Sequence, residues 1–470
     1  MKPIYKKILS LGLCLSQSLM VACSAGAKPN NTLNSYNSSG GIKANVRLSQ
    51  NKVLQGSDGR VYLQIDLENQ NSDFSQSFSR KSTDFIVVLD RSGSMAAERK
   101  MEFAHKALES LISQLSAEDR FGLITFDDRI ETPLRLSNLD FKDKQNAIKL
   151  IRSITPRGST NLGGGLMAGI QMMQEFKNSS HSKRILLISD GIANVGVTDS
   201  LTLGRMASQA ANGSEFAVST IGVGLDFNEH LMSSLADYGL GSYYFLESPS
   251  GMENILAQEY RGASQIYASD LRVQLNLPPG FQVIDASGYP ITRENYGLTI
   301  HPGHLYVNQK KTFFITLQVP TFDLYSNRSL GSASLEFRVA SQFYRMNLLN
   351  SDLTISCLPT ERRREVIGSI NQPVYEEAWN KNNYGRLMQE SADKISKGDR
   401  GGASETLKEY KSKLSEAYQT APSASMRRQM DEVEKMETEV TRTFESPDAE
   451  TSMKRLGKTY QYEGIQKQRK

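Results

Sequence analysis

Phe85-Ile86-Val87-Val88-Leu89-Asp90-Arg91-Ser92-Gly93-Ser94-Met95 is the stretch on which the reading of this chain turns. An unbroken apolar run of strand length, with no polar alternation, belongs to a strand buried on both faces, as in a parallel sheet. It ends in Asp-x-Ser-x-Ser, which delivers one carboxylate and two hydroxyls at the carboxyl end of the strand. Oxygen donors of this kind suit a hard divalent cation, Mg²⁺ first, with Mn²⁺ or Ca²⁺ as the other candidates; no thiolate or imidazole is present for a soft one. Taken alone, an Asp or Ser after a strand is more often a helix N-cap.

Two later segments have the character needed to complete such a site. Thr155-Pro156-Arg157-Gly158-Ser159-Thr160-Asn161 is a turn-rich loop ahead of a helix, and Ile185-Leu186-Leu187-Ile188-Ser189-Asp190-Gly191 is a second apolar strand ending in a carboxylate. In this order, Asp90-x-Ser92-x-Ser94, Thr160 and Asp190-Gly191 resemble the metal-ion-dependent adhesion site of von Willebrand factor type A (VWA) domains, over about residues 82–260. The resemblance implies that the hydroxyls of Ser92, Ser94 and Thr160 contact the metal and that Asp90 and Asp190 act partly through water. A dication held mostly by neutral oxygens stays electron-poor and keeps a position for an outside ligand. An Asp or Glu carboxylate of a partner protein is its natural occupant.

Around these segments strands and helices alternate, the pattern of a parallel sheet covered on both faces. Phe121 to Phe126, Arg184 to Ser189, Phe216 to Gly222 and Tyr243 to Leu246 read as further strands, with helices near 141–154, 162–176, 200–211, 228–238 and 250–262. Outside this region apolar residues alternate with period two, at Ile42, Ala44, Val46 and Leu48 and at Val61 to Leu67 before it, and at Leu271 to Leu277, Phe313 to Val319 and Ala333 to Val339 after it. An isolated strand pair is marginal in water. The expected fold class is therefore α/β: a doubly wound parallel-sheet VWA (Rossmann-like) domain, 82–260, inserted in a β-sandwich made of 42–80 and 266–357. A helical region, 361–445, and a basic tail, 446–470, are expected to follow. The arrangement resembles bacterial lipoproteins related to inter-α-trypsin-inhibitor heavy chains and calcium-activated chloride-channel-like proteins.

A chain of 470 residues is long enough for about three domains, and its 39% hydrophobic content supports packed cores. The net charge of +4 is too small to argue for nucleic acid, and none is expected as a partner. Residues 1–23 read as a secretory signal, with Lys2, Lys6 and Lys7 ahead of an apolar segment too short to span a bilayer. Met20-Val21-Ala22-Cys23 resembles a lipobox, which implies an acyl anchor (palmitate or similar) on Cys23. Residues 24–41 are expected to be a flexible tether, and Cys357 a buried apolar residue. The expected location is the bacterial cell envelope, lipid-anchored at the outer membrane on its periplasmic or surface face.

An enzymatic reading lacks its accessories. His105, His181, His230, His301 and His304 all lie outside the three loops, there is no phosphate loop, and Gly222-Val223-Gly224-Leu225-Asp226 lacks the third Gly of a dinucleotide fingerprint. An Asp-x-Asp phosphatase would need a carboxylate where Ser92 stands. The expected function is a non-enzymatic, membrane-anchored, metal-dependent binding protein for adhesion or complex assembly. The alternatives are an accessory subunit of an envelope transport system and a metal-dependent hydrolase.

Overall fold

The computed structural model describes residues 34–69, 80–211, 216–294, 297–340, 342–349 and 353–469. The signal segment, Cys23 and residues 24–33 of the expected tether lie outside the described residues. The tether ends sooner than its composition suggests: β1 (Asn34–Ser39) pairs in antiparallel register with β2 (Ile42–Leu48). After a short β3 (Lys52–Leu54) comes β4 (Arg60–Asn69), buried from Val61 to Leu67. Its period-two apolar residues, Val61, Leu63, Ile65 and Leu67, enter the sandwich core, while the alternate positions Tyr62, Gln64 and Asp66 are buried by what covers its other face.

The inserted α/β unit runs β5 (Thr83–Asp90), α1 (Lys100–Gln114), β6 (Arg120–Phe126), β7 (Ile130–Asn138), α2 (Phe141–Arg152) and α3 (Leu162–Gln174). It continues through β8 (Ser182–Ser189), α4 (Ser200–Ala211), β9 (Phe216–Val223), α5 (Glu229–Tyr238), β10 (Leu240–Leu246) and α6 (Met252–Ala263). The sheet order is β10-β9-β8-β5-β6-β7. Strands β5, β8 and β9 are buried at every position, which is why apolar residues stand at successive positions in each of them and do not alternate with polar ones. The sheet is mixed, not wholly parallel, because β7 folds back antiparallel on β6. Pro133 and the mostly exposed β7 pattern fit an edge strand, and such a strand leaves little hydrophobic signal.

Among the described residues nine strands follow: β11 (Ile266–Asn276), β12 (Gln282–Asp285), β13 (Ile291–Glu294), β14 (Gly297–Tyr306), β15 (Lys310–Gln318), β16 (Tyr325–Ser329), β17 (Ser332–Val339), β18 (Gln342–Asn347) and β19 (Thr354–Leu358). One five-stranded sheet is β1-β2-β4-β15-β12, the other is β13-β14-β11-β17-β18, and a small third sheet is β16-β19-β3. Strand β4, before the insert, and β15, after it, pair along their length from Lys310 opposite Glu68 to Gln318 opposite Arg60. Ile65, Phe313, Val273, Leu335 and Cys357 share one core, so residues on both sides of the insert build a single sandwich.

The C-terminal helices are α7 (Arg363–Ile367), α8 (Gln372–Glu377), α9 (Tyr384–Ser396), α10 (Arg400–Thr420), α11 (Ala424–Phe444) and α12 (Ala449–Arg469), with a π-helical stretch from Ala378 to Asn383 joining α8 to α9. That stretch plugs into the outer face of the sandwich: Asn382 Nδ2 donates to Thr316 Oγ1 at 3.0 Å and Asn383 Nδ2 to Tyr62 Oη at 2.7 Å. The segment expected as a basic tail is instead the helix α12. Leu456 and Tyr460 pack with the other helices, Ile465 packs with the α/β unit, and the cations meet acids of that unit. Arg455 pairs with Glu247 at 2.6 Å, Arg469 with Asp237 at 2.6 Å and Lys458 with Glu229. Charge dominated the sequence reading here and hid an amphipathic spacing. Among the described residues no helix is long and apolar enough to cross a membrane.

If β4 is an integral strand of the sandwich, Ile65→Ala, fully buried at its centre, should lower stability by ~2–5 kcal/mol in urea unfolding of the full chain. A loss below ~1 kcal/mol would show that the segment before the insert is dispensable to the core.

Candidate metal centre

Parallel pairing of β5 with β8, Leu89 opposite Ile188, brings the carboxyl ends of two strands together, and with them Asp90 and Asp190. The third segment is carried in by backbone hydrogen bonds. Arg157 N–H donates to the Arg91 carbonyl at 2.7 Å, Gly93 N–H to the Gly158 carbonyl at 3.1 Å, and Asn161 N–H to the Asp127 carbonyl at 2.8 Å. Asn161 then caps α3, its Oδ1 accepting from Gly164 N–H at 3.0 Å. Thr160 is fixed from the far side, its N–H donating to Asn194 Oδ1 at 3.0 Å.

All five residues singled out in the sequence converge here. Asp90 Oδ1 accepts from the Ser92 N–H at 2.7 Å and Oδ2 from the Ser189 hydroxyl at 2.5 Å. Ser92 Oγ and Ser94 Oγ are 3.1 Å apart, and Ser94 Oγ donates to Asp190 Oδ1 at 2.7 Å. Thr160 Oγ1 and Ser94 Oγ lie 3.1 and 3.8 Å from the point where a Cβ on Gly191 would stand, so any side chain at Gly191 would fill the cradle. Asp90, Asp190, Ser92 and Thr160 are buried, and Ser94 is exposed, so the site opens to solvent on that side. Burial pushes the Asp90 carboxyl up to about 6, against the hydrogen bonds from Ser189 and Ser92, and neighbouring Asp190 adds to the push.

The donor set, two carboxylates and three hydroxyls, fits a hard cation of high charge. Among the described residues no cluster of three or more His, Cys, Asp or Glu has metal-holding geometry, and the five histidines are not among the partners of these donors. His181 pairs instead with Asp84, at the opposite end of β5.

The sequence reading missed Lys100. Its ammonium, almost fully buried, donates to Asp190 Oδ2 at 2.8 Å. Glu98 and Arg99, both left-handed at φ 52° and 59°, turn the chain so that Lys100 heads α1 facing the site. Gly224, at φ +78°, makes room for it: a Cβ there would stand 3.1 Å from Nζ. In the sequence Gly224 looked only like part of a failed dinucleotide motif. Asp127 was also missed. It is buried beyond the end of β6 and accepts from Arg91 Nε at 3.0 Å and Arg157 Nε at 2.7 Å. Burial alone would raise its carboxyl, but the bonds from Arg157 and the Arg129 N–H, with the Arg91 charge, hold it below the usual range. An acid after a third strand end, Phe126-Asp127-Asp128, was the available signal.

The family model of the von Willebrand factor type A domain matches residues 85–192, from β5 through the Asp190-Gly191 turn. This is a VWA-domain protein. It is similar to the uncharacterized protein YfbK of Escherichia coli K12, 29% identical over 203 residues, which are 43% of this chain and 34% of that one. It is also similar to inter-alpha-trypsin inhibitor heavy chain H1 of Homo sapiens, 26% identical over 172 residues, 35% of this chain and 19% of that one. The match thus spans about a third of the first relative and a fifth of the second. Among solved structures, the von Willebrand factor type A protein from Catenulispora acidiphila superposes with a TM-score of 0.65 at 15% identity, over 91% of this chain and 98% of that one. At that identity the likeness is one of fold, and it takes in the sandwich and the helices as well as the VWA domain. A VWA domain is a module of the protein-interaction or adhesion type.

The Lys100–Asp190 pair makes a testable demand. Lys100→Met, which keeps length and removes charge, should cost ~3–5 kcal/mol in urea unfolding without divalent metal, because it leaves Asp190 buried and unpaired. Adding Asp190→Asn should restore most of the loss; a single variant as stable as the parent would show that the pair is not formed.

Proposed function

We propose that this protein is a membrane-anchored, non-enzymatic binding module in which Asp90, Ser92, Ser94, Thr160 and Asp190 hold a divalent cation, Mg²⁺ first and Mn²⁺ or Ca²⁺ next. The cation receives an Asp or Glu carboxylate from a partner protein, in adhesion or complex assembly. The observation that carries the reading is the cradle at Gly191, where three hydroxyls and two carboxylates from three loops gather with one side open.

Charge supports the same partner chemistry. Lys100 offsets one of the two carboxylates, so a bound dication leaves one unit of positive charge unbalanced in a largely buried site. A partner carboxylate balances it and supplies the missing oxygen. The other charged groups beside the donors, Arg91, Arg157 and Asp127, are held in ion pairs with one another, which favours binding over hydrolysis.

Saturating Mg²⁺ or Mn²⁺ should stabilise the VWA domain by RT ln(1 + [L]/Kd), ~2.7 kcal/mol at a hundredfold excess over Kd, read as a shift in thermal melting. Asp90→Ala should erase the shift. Partner capture from the parent cell envelope should be lost with EDTA and with Asp90→Ala, and kept by Glu118→Ala, an exposed acid at the other end of the sheet. Capture that survives both EDTA and Asp90→Ala would rule out a metal-bridged contact.

Anchoring rests on Met20-Val21-Ala22-Cys23. Each buried methylene of a lipid contributes ~0.8 kcal/mol, so two or three acyl chains on Cys23 hold the protein firmly to a membrane. The protein should sediment with outer membranes, and Cys23→Ser should move it to the soluble fraction. An unchanged distribution would remove the lipid from the proposal.

A further inference from the structure

A second polar site lies away from the Gly191 cradle. A cavity of ≈ 450 Å³ opens where the outer edge of β10 meets α6, β14, β15 and α12, a volume within the range of small-molecule sites. Arg184, which lines it, precedes Asp190 by six residues along β8, about 20 Å at ~3.3 Å per residue. The seven residues of β10 all line the cavity, and among the described residues β10 has a partner strand, β9, on one side only. Its outer N–H and C=O groups therefore form part of the wall.

Three cations from three modules meet there: Arg184 of β8 in the VWA domain, Lys311 of β15 in the sandwich and Arg469 of α12. Lys311 and Arg469 both lie against the Tyr289 ring, 5.4 and 4.8 Å from its centroid. Gathering like charges in a low-dielectric pocket is unfavourable unless an anion balances them.

Hydrogen bonding shows the same imbalance. Arg184 is 1% exposed, yet its Nη1 reaches Ser219 Oγ and its Nη2 reaches Tyr306 Oη only at 3.4 Å. Its Nε stands 3.4 Å from Glu259 Oε2 and makes no hydrogen bond. Glu259 is already engaged by the hydroxyls of Ser219 and Tyr244, each at 2.6 Å. A buried guanidinium with five donors and only such long contacts is short of an acceptor. Lys311 Nζ donates to the carbonyls of Pro302 and His304, which leaves a third N–H. Burial, with the charge of Arg469, pushes its ammonium down to about 7, the response of a cation that lacks a counter-charge. Arg469 pairs with Asp237 at 2.6 Å and is also within the field of Asp285.

We infer that this cavity binds a small organic anion, its carboxylate or phosphate group held among Arg184, Lys311 and Arg469 and its body lying along the free edge of β10. The site is separate from the metal centre and owes nothing to the proposed metal. Because its cations come from three modules, occupancy ties the modules to one another.

The test uses the full chain in EDTA, so that the metal centre takes no part, with isothermal titration and thermal melting against phenyl phosphate, benzoate and benzyl alcohol. At least one of the two anions should bind saturably and raise the melting temperature, the stronger one identifying the head group, while neutral benzyl alcohol does neither. Lys311→Met and Arg469→Gln, each checked for fold by circular dichroism, should weaken the anion at least tenfold. The inference is overturned if neither anion binds the parent protein at millimolar concentration, if benzyl alcohol binds equally well, or if a folded Lys311→Met or Arg469→Gln variant keeps its affinity within twofold. Should both variants misfold, the comparison of anion with benzyl alcohol on the parent protein decides alone.

Discussion

Two parallel strands, β5 and β8, end side by side in Asp90 and Asp190, and much of the surrounding structure answers the problem this creates. Buried carboxylates in proximity repel, and each must be hydrogen-bonded or paired. Ser189 and the Ser92 N–H serve Asp90, while Ser94 and Lys100 serve Asp190. The third loop is held by a separate charged set, Arg91 and Arg157 on Asp127. The donors that face Gly191 are thus fixed from behind, which is what a pre-formed binding site requires.

The architecture around the site depends on a second constraint, the closure of a sheet over a long insertion. Strand β4 and strand β15 lie on either side of the whole VWA domain in sequence and are neighbours in space. Tyr62 shows how the layers are joined: its neighbours on β4 face the sandwich core, while its own hydroxyl accepts from Asn383 of the helical region. One strand therefore serves two cores on its two faces, and its near-continuous burial follows.

The parts of the fold legible in the sequence were those with a strong period. The apolar runs of β5 and β8 and the alternation of β4 and β15 could be placed because burial leaves fixed spacings, and the Asp-Ser-Ser, Thr and Asp-Gly segments because they follow strand ends or precede a helix. Strand β7 was invisible because an exposed edge strand needs no apolar face. Lys100 was invisible for a different reason: its contact depends on two left-handed residues, Glu98 and Arg99, and on the space left by Gly224, none of which has a composition signal. Helix α12 was misread because its five cations drew attention from Leu456, Tyr460 and Ile465. Net charge says what solvent or a partner can meet, and here the partner was the same chain.

That last helix has a consequence for how the molecule comes into being. Glu229, Glu247 and Asp237 of the VWA domain wait for Lys458, Arg455 and Arg469, more than two hundred positions further along the chain. Strand β4 likewise waits for β15 across the whole insert. A polypeptide emerging from its amino end passes both waiting points with sticky or uncompensated surfaces still open, and contacts of such long sequence separation form slowly. The order of synthesis therefore makes an early β-strand and the VWA acids dependent on segments made late, and a product that stops before Ala449 advertises its incompleteness on its surface.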